Sequence, residues 1–167
     1  MNLRPYKKED AAKILSWIKD EREFRLWSAD RYKNYPCQPS DINDNYLDCM
    51  KTSSFYALTL EDNENVIGHL ILRNPGEDKT IVRLGFIIID DSIRKKGYGK
   101  KLIKEAIRYA KEKMGAKEIN LGVFTNNLGA YLCYKAVGFK VTNIIKDSFL
   151  FHNEKWDCAE MVLDEQL

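Results

Sequence analysis

The stretch of sequence that decides the fold runs from Arg83 to Ile103 and reads RLGFIIIDDSIRKKGYGKKLI. Its first part, Leu84 to Ile89, is short and continuously apolar, as expected of a strand buried on both faces of a sheet. From Leu102 onward the apolar residues recur at the spacing of a helix that lies on a sheet, as far as Met114. The stretch therefore predicts a buried strand, a polar turn and a long amphipathic helix.

A basic loop with two glycines, Gly97 and Gly99, connects this strand to the helix. Because glycine has no side chain, several backbone N–H groups can converge on one anion at the helix N-terminus. The loop therefore favours a diphosphate or an equally anionic ligand. It lacks both the Gly-Lys-Ser/Thr of a Walker loop and the third glycine of a dinucleotide fingerprint. Positive charge around the glycines comes from Arg94, Lys95, Lys96, Lys100 and Lys101.

The segment RKKGYG, residues 94–99, resembles the Arg/Gln-x-x-Gly-x-Gly/Ala signature of the GNAT superfamily, the acyl-CoA-dependent N-acetyltransferases. In that family the loop binds the pyrophosphate of coenzyme A, and the preceding strand pairs with the pantetheine arm as an added strand would. The resemblance implies acetyl-CoA as the co-substrate. The cofactor-binding residues that it implies here are Ile87, Ile88, Ile89, Arg94, Lys95, Lys96, Gly97, Tyr98, Gly99 and Lys100.

A second segment, NLGAYLCYKAVGF at residues 127–139, resembles the family's Asn-x-x-Ala pattern with a later tyrosine and Gly-Phe. In the family the asparagine holds the pantetheine arm, and the tyrosine is the general acid beside the thioester sulfur. The resemblance thus implies that Asn127 binds the cofactor and that Tyr134 is catalytic. Asn127 is also a good helix N-cap, and the two roles are compatible.

The chemistry implied is direct attack of a primary amine on the thioester carbonyl. The oxyanion that forms needs a positioned donor, which the family supplies as a backbone N–H, here near Ile87 or Ile88. The leaving thiol has a reference pKa of ~8.5 and tyrosine one of ~10, so Tyr134 can return a proton to sulfur.

A general base is less evident. Relatives in this family carry a glutamate at places that match Arg83 or Gly122, and neither residue is an acid here. Holding a lysine-like amine neutral at pH 7 costs roughly 4.6 kcal/mol, whereas an α-amine costs only about 1 kcal/mol. The candidate bases are Glu61, Glu77 and Asp78, each of which also fits an ordinary exposed turn.

The sequence decides neither the identity of the amine acceptor nor whether the protein is catalytic. The acceptor could be a small amine, an amino acid, an aminoglycoside, or the N-terminus or a lysine of a peptide. The missing acids favour one alternative, a non-catalytic acyl-CoA-binding regulatory module. A nucleic-acid-binding domain that uses the basic loop ranks last, because acidic residues elsewhere nearly balance that charge.

For the whole chain, residues 1–167, we predict a single domain of the GNAT type. The resemblance and the hydrophobic patterning together imply an α+β fold, with a mixed, mostly antiparallel central sheet of six to seven strands and helices on both faces. The same patterning places strands near residues 2–6, 55–60, 66–73, 80–89, 118–124, 139–151 and 156–163 and helices that start at Asp10, Glu21, Asp41, Lys100 and Asn127.

Composition limits the other classes of function. The net charge is +2. The four cysteines form no C-x-x-C pair, and the chain has only two histidines that could complete a metal site with them. We therefore expect no metal, no nucleic-acid partner and reduced thiols. With no apolar leader or membrane-length run, we expect a cytoplasmic protein without a membrane partner. The family resemblance implies a monomer or a homodimer.

Overall fold

The computed structural model of the chain describes residues 1–52 and 54–164. Within these residues the strands are β1 Asn2–Pro5, β2 Phe55–Asp62, β3 Asn65–Arg73, β4 Ile81–Ile89, β5 Glu118–Phe124, β6 Phe139–Phe151 and β7 Glu154–Leu163. The α-helices are α1 Asp10–Leu15, α2 Glu21–Ser28, α3 Pro39–Thr52, α4 Tyr98–Met114 and α5 Leu128–Val137. The strands form one mixed sheet with the order β1-β2-β3-β4-β5-β7-β6, and every neighbouring pair is antiparallel except β4 and β5. The predicted fold class is confirmed.

Each face of the sheet is covered by its own group of helices, because alternate strand residues point to opposite faces. On one face Leu102 of α4 and Tyr134 of α5 pack with Leu84 of β4 in the larger core. On the other face the helices before β2 contribute a second core, in which Phe24 and Tyr46 are buried. Residues of β4 that do not face α4, such as Arg83, therefore face the side of the sheet that carries α2 and α3.

Two of the predicted helix starts are corrected by the structure, whereas α1 begins at Asp10 as predicted. Asp10 lies inside the first turn of α1 and does not cap it, because its carboxylate accepts hydrogen bonds from Arg4 at 2.8 and 3.0 Å. Helix α3 begins at Pro39, where the fixed φ of proline suits a first turn, and not at Asp41. Helix α4 begins at Tyr98 directly after Gly97, whose φ of 86° favours glycine.

The Asn127 side chain also departs from the expected capping role. The residue precedes α5, but its side chain forms no capping hydrogen bond to the helix. None of the helices in the described ranges is both long enough and apolar enough to cross a membrane.

A fully buried histidine lies between β3 and α3. His69 has no solvent exposure, and its Nε2 lies 2.7 Å from the hydroxyl of Tyr46. Burial lowers the pKa of His69 from 6.5 to about 3, although the nearby charge of Asp10 opposes that change. The imidazole is therefore neutral in the folded protein over the whole range near neutrality.

We expect His69 to make folding sensitive to acid. The unfolded chain takes up a proton at this residue as the pH falls through 6.5, and the folded chain does so only near pH 3. The stability contributed by the neutral form is complete above pH 6.5 and is lost below it, by about 2 kcal/mol at pH 5. Urea unfolding at pH 7.5 and pH 5 measures this loss, and His69→Gln serves as the control. An equal loss of stability in both proteins would contradict the assignment.

Candidate active site

The central feature of the site is an opening in the sheet between β4 and β5. Their parallel pairing joins Ile81–Leu84 to residues 118–121 and stops there. Beyond that point β5 remains paired with β7 through Phe124 and Cys158, while β4 continues beside β3. The edge of β4 from residue 85 to residue 89 therefore has no strand partner on β5 and offers backbone groups to a ligand that enters the opening, although the carbonyl oxygen of Ile89 already accepts a hydrogen bond from Arg94.

An irregularity in β4 lies at the same place. On β3, His69 is opposite Ile88 and Ile71 is opposite Gly85, so one residue of β3 faces two residues of β4. Phe86, one of those two, has a φ of 49°. A bulge of this kind redirects backbone groups out of the regular ladder. Ile87 and Ile88, which the sequence predicts as oxyanion donors, are at or beside it.

A cavity of about 1250 Å³ follows the opening from the glycine loop to β7. It brings together most of the sequence-predicted site residues, although they come from β4, the loop, α4 and α5. Two of them do not line it: Lys96 is exposed outside the cavity, and Tyr98 packs against the core beneath α4. The predicted residues that line it are Ile87, Ile88, Ile89, Arg94, Lys95, Gly97, Gly99, Lys100, Asn127 and Tyr134.

The glycine loop is held open at the N-terminus of α4. A Cβ atom at Gly97 would meet no atom within 4 Å, whereas one at Gly99 would lie 3.3 Å from the sulfur of Cys133. Arg94 anchors the loop, because its guanidinium donates to the carbonyl oxygens of Ile89 and Trp17, each at 3.2 Å. The backbone N–H groups at the start of α4 are therefore left facing the cavity mouth, together with positive charge from the lysines.

Tyr134 lies deeper along the opening. Its side chain is 7 % exposed and packs edge-on against Phe139, with ring centroids 6.3 Å apart. Burial raises the pKa of Tyr134 above its ordinary value of 10, with a smaller contribution from Cys133. Its hydroxyl has no hydrogen-bond partner among residues 1–52 and 54–164. The phenol is therefore protonated near neutral pH and able to donate a hydrogen bond into the cavity.

The cavity also contains a carboxylate that no sequence motif indicated. Glu160 of β7 accepts two hydrogen bonds from Arg83, at 2.6 and 2.9 Å, and Arg83 also donates to Asn120 at 3.1 Å. Glu160 is the partner of Gly122 in the β5–β7 register. A Cβ atom at Gly122 would lie only 2.5 Å from Nη2 of Arg83. Arg83 and Gly122 occupy the two positions where relatives carry a glutamate. Here Arg83 binds Glu160 of β7, and Gly122 leaves the space that the pair occupies.

The acids that the sequence offered as bases do not line the cavity. Glu61 pairs with Arg4 at 3.1 Å at the β1–β2 edge of the sheet. Asp78 accepts hydrogen bonds from the backbone and hydroxyl of Thr80 within a turn, and Glu77 is exposed in the same turn. The only sequence signal for Glu160 was the glycine opposite it, which has meaning only once the strand register is known.

Comparison with known proteins agrees with this fold. The family model described as Acetyltransferase (GNAT) family matches residues 14–139, which include β4, the glycine loop, α4 and α5. The chain belongs to the GNAT family of acetyltransferases.

Individual relatives are distant. The chain is 30% identical over 116 residues to the uncharacterized N-acetyltransferase YvbK of Bacillus subtilis, an alignment that covers 69% of each protein. It is 27% identical over 103 residues to human N-acetyltransferase 8, covering 62% of this chain and 45% of the human protein. Among solved structures, spermidine N-acetyltransferase from Vibrio cholerae in complex with CoA and spermine superposes with a TM-score of 0.81. That pair is 20% identical, and the match covers 97% of this chain and 94% of the other.

Proposed function

We propose that this protein transfers an acetyl group from acetyl-CoA to a primary amine by direct attack of the amine on the thioester. The observation that carries the proposal is the continuous opening between β4 and β5. It leads from the backbone N–H groups at Gly97 and Gly99 to the hydroxyl of Tyr134. A long ligand with a diphosphate at one end and a thioester at the other fits this arrangement.

In this proposal the two ends of acetyl-CoA are held by different elements. The diphosphate lies at the N-terminus of α4, where N–H groups and the helix dipole favour negative charge. The pantetheine arm pairs with residues 87–89 of β4, whose edge toward β5 is unpaired. The side chain of Asn127, which forms no capping hydrogen bond to α5, also binds that arm.

The reacting carbonyl then lies near the bulge in β4. A backbone N–H at Ile87 or Ile88 stabilises the oxyanion as the amine nitrogen bonds to the carbonyl carbon. When the carbon–sulfur bond breaks, Tyr134 donates its proton to the departing thiolate. The proton lost by the amine passes to water, and water returns a proton to the phenolate of Tyr134, while Glu160 remains paired with Arg83.

The acceptor enters from the face of the sheet opposite α4, where Arg83 and Glu160 lie. The spermidine N-acetyltransferase of Vibrio cholerae, which was crystallised with CoA and spermine, supports a small amine as the acceptor class. The most informative test is a thiol-release assay with acetyl-CoA and a panel of amines. The proposal expects amine-dependent release of CoA. Tight acetyl-CoA binding without thiol release for any amine would identify a non-catalytic acyl-CoA-binding module instead.

Replacing Gly122 by alanine tests whether the acceptor side depends on the Arg83–Glu160 pair. The new Cβ atom would lie 2.5 Å from Nη2 of Arg83 and 3.1 Å from Oε1 of Glu160. Because the end of an arginine side chain moves easily, we expect a stability loss below about 1 kcal/mol but a several-fold rise in KM for the amine. The Kd for acetyl-CoA, measured by calorimetry, should not change. Gly76→Ala is the control, since a Cβ atom there meets nothing within 4 Å. An unchanged amine KM in Gly122→Ala would contradict the expectation.

A further inference from the structure

The acceptor end of the cavity is lined by three arginines from three separate elements. Arg31 follows α2, Arg73 ends β3, and Arg83 lies in the first half of β4. Arg73 and Arg83 are direct partners in the antiparallel β3–β4 register, so their side chains lie on the same face of the sheet. The sheet thus places two guanidinium groups side by side, and α2 brings a third to the same cavity.

Arg83 and its partner Arg73 are remote from the proposed diphosphate site. Arg83 precedes Ile89 by six residues on β4, a separation of roughly 17–20 Å along a strand. The glycine loop begins only after Ile89. One cofactor phosphate group therefore does not account for both clusters of positive charge.

The three arginines differ in what neutralises them. Arg83 is paired with Glu160 through two hydrogen bonds. Arg31 lies over the ring of Phe86, 5.3 Å from its centroid, and its Nη1 is 3.6 Å from the sulfur of Cys49. In the described parts of the chain, the guanidinium of Arg73 has no hydrogen bond or ion pair to a carboxylate.

Arg73 is also partly withdrawn from solvent. Burial, and then the neighbouring charges of Arg83 and Arg31, lower the pKa of Arg73 from its ordinary value. A guanidinium offers five N–H donors in a planar fork that matches a carboxylate with two parallel hydrogen bonds. Leaving such a group half-buried without an acceptor is unfavourable, and a bound anion removes that cost.

Within the described residues, none of the acids that line the cavity forms an ion pair with Arg73. Glu23 pairs with Arg94 near the cavity mouth, at 3.4 Å. Glu160 is engaged by Arg83. Asp30 is exposed at the rim and forms no ion pair with the arginines in the residues that the structure describes.

We infer that the acceptor is an amine that also carries a carboxylate, which Arg73 and Arg31 bind while the amine nitrogen faces the thioester. This inference rests on the proposed function and narrows its substrate class to amino-acid-like amines. It also separates this chain from a polyamine acceptor, because a polycation would meet uncompensated positive charge at Arg73 and Arg31.

Matched pairs of acceptors that differ only in the carboxylate test the inference: lysine with cadaverine, ornithine with putrescine, and tyrosine with tyramine. Thiol release is measured for each pair, and spermidine is included. We expect kcat/KM to be roughly 10- to 100-fold higher for the carboxylate-bearing member, as a charge-assisted bidentate contact predicts. Equal or greater activity with the decarboxylated amines or with spermidine would overturn the inference while leaving the acetyltransferase activity in place.

Variants at Arg73 test whether this residue causes the preference for amines that carry a carboxylate. In Arg73→Met the preference for the carboxylate should disappear, while thiol release with the decarboxylated amine persists. Arg73→Lys, which keeps the charge but loses the fork, should keep part of the preference. The control is Arg108→Met, which removes an exposed charge of α4 that pairs with Glu105 outside the cavity. A preference that survives in Arg73→Met would overturn the inference.

The two proposals fail in different ways. If no amine of either kind releases thiol, the proposed acetyl transfer has failed. In that case calorimetric titration of lysine and cadaverine into the CoA-saturated protein still tests the carboxylate site. Tighter binding of lysine that is lost in Arg73→Met would support the site, and equal binding of the two amines would overturn it.

Discussion

Replacing Tyr134 by phenylalanine is expected to lower kcat by roughly 100-fold or more, the usual contribution of a positioned general acid. Tyr134 lines the cavity, and its hydroxyl stays protonated near neutral pH because burial raises the pKa of Tyr134. Phenylalanine keeps the ring that packs against Phe139, so the fold and the acetyl-CoA site should be preserved. Thiol release under saturating acetyl-CoA measures kcat, and calorimetry measures the Kd for acetyl-CoA.

The same helix offers a control for this substitution. Tyr131 is partly buried against the core, and the ammonium of Lys135 lies 5.7 Å from its ring centroid, outside the proposed reaction site. We expect Tyr131→Phe to keep the wild-type kcat. If Tyr134→Phe also kept it, the proton would reach the leaving thiolate by another route, and the role assigned to Tyr134 would be wrong.

Replacing Gly97 by glutamate is expected to weaken acetyl-CoA binding by about 100-fold or more. A Cβ atom at Gly97 meets nothing within 4 Å, so the side chain fits, but it places a carboxylate at the proposed diphosphate position. Like charges about 5 Å apart at an effective dielectric constant of about 20 repel by ~3 kcal/mol, which corresponds to a factor of about 100 in Kd. Calorimetric titration with acetyl-CoA measures the change.

Strain must be separated from charge in this experiment, because Gly97 has a φ of 86°. Gly115 closes the other end of α4 with a φ of 65°, and a Cβ atom there also meets nothing within 4 Å. Gly115→Glu therefore introduces the same charge and a similar strain, about 1–2 kcal/mol, away from the cavity mouth. It should lose stability but keep the Kd for acetyl-CoA. Equal weakening in both variants would indicate a loss of folding and not a local repulsion.

Much of the fold could be predicted from the sequence, because its signals are local. The run of apolar residues in β4, the stripe on α4 and the bounds of β5, α5 and β6 follow from periodicity and from glycine at helix ends. The sequence did not indicate which side chains from other elements would pair. A helix start at Asp10 was predictable, but its hydrogen bonds with Arg4 and the hydroxyl of Thr59 were not.

The parts of the candidate site that are short sequence motifs could be predicted. The residues that reach the site only through the pairing of strands could not. The glycine loop and the segment after Asn127 could be recognised because their residues are close in sequence. Glu160 and Arg73 could not, since each gains its place only when a strand pairs with another, opposite Gly122 and Arg83 respectively. No local pattern marks either residue.

The most direct test of the account follows the backbone amide signals of the protein by NMR while CoA or pantetheine is added. We expect CoA to shift the N–H signals of Gly97 and Gly99 together with those of residues 87–89. Pantetheine, which lacks the diphosphate, should shift the strand signals and leave the two glycines unchanged. If CoA left Gly97 and Gly99 unchanged, or moved signals only outside the β4–β5 opening, the proposed binding of acetyl-CoA at the start of α4 would be wrong.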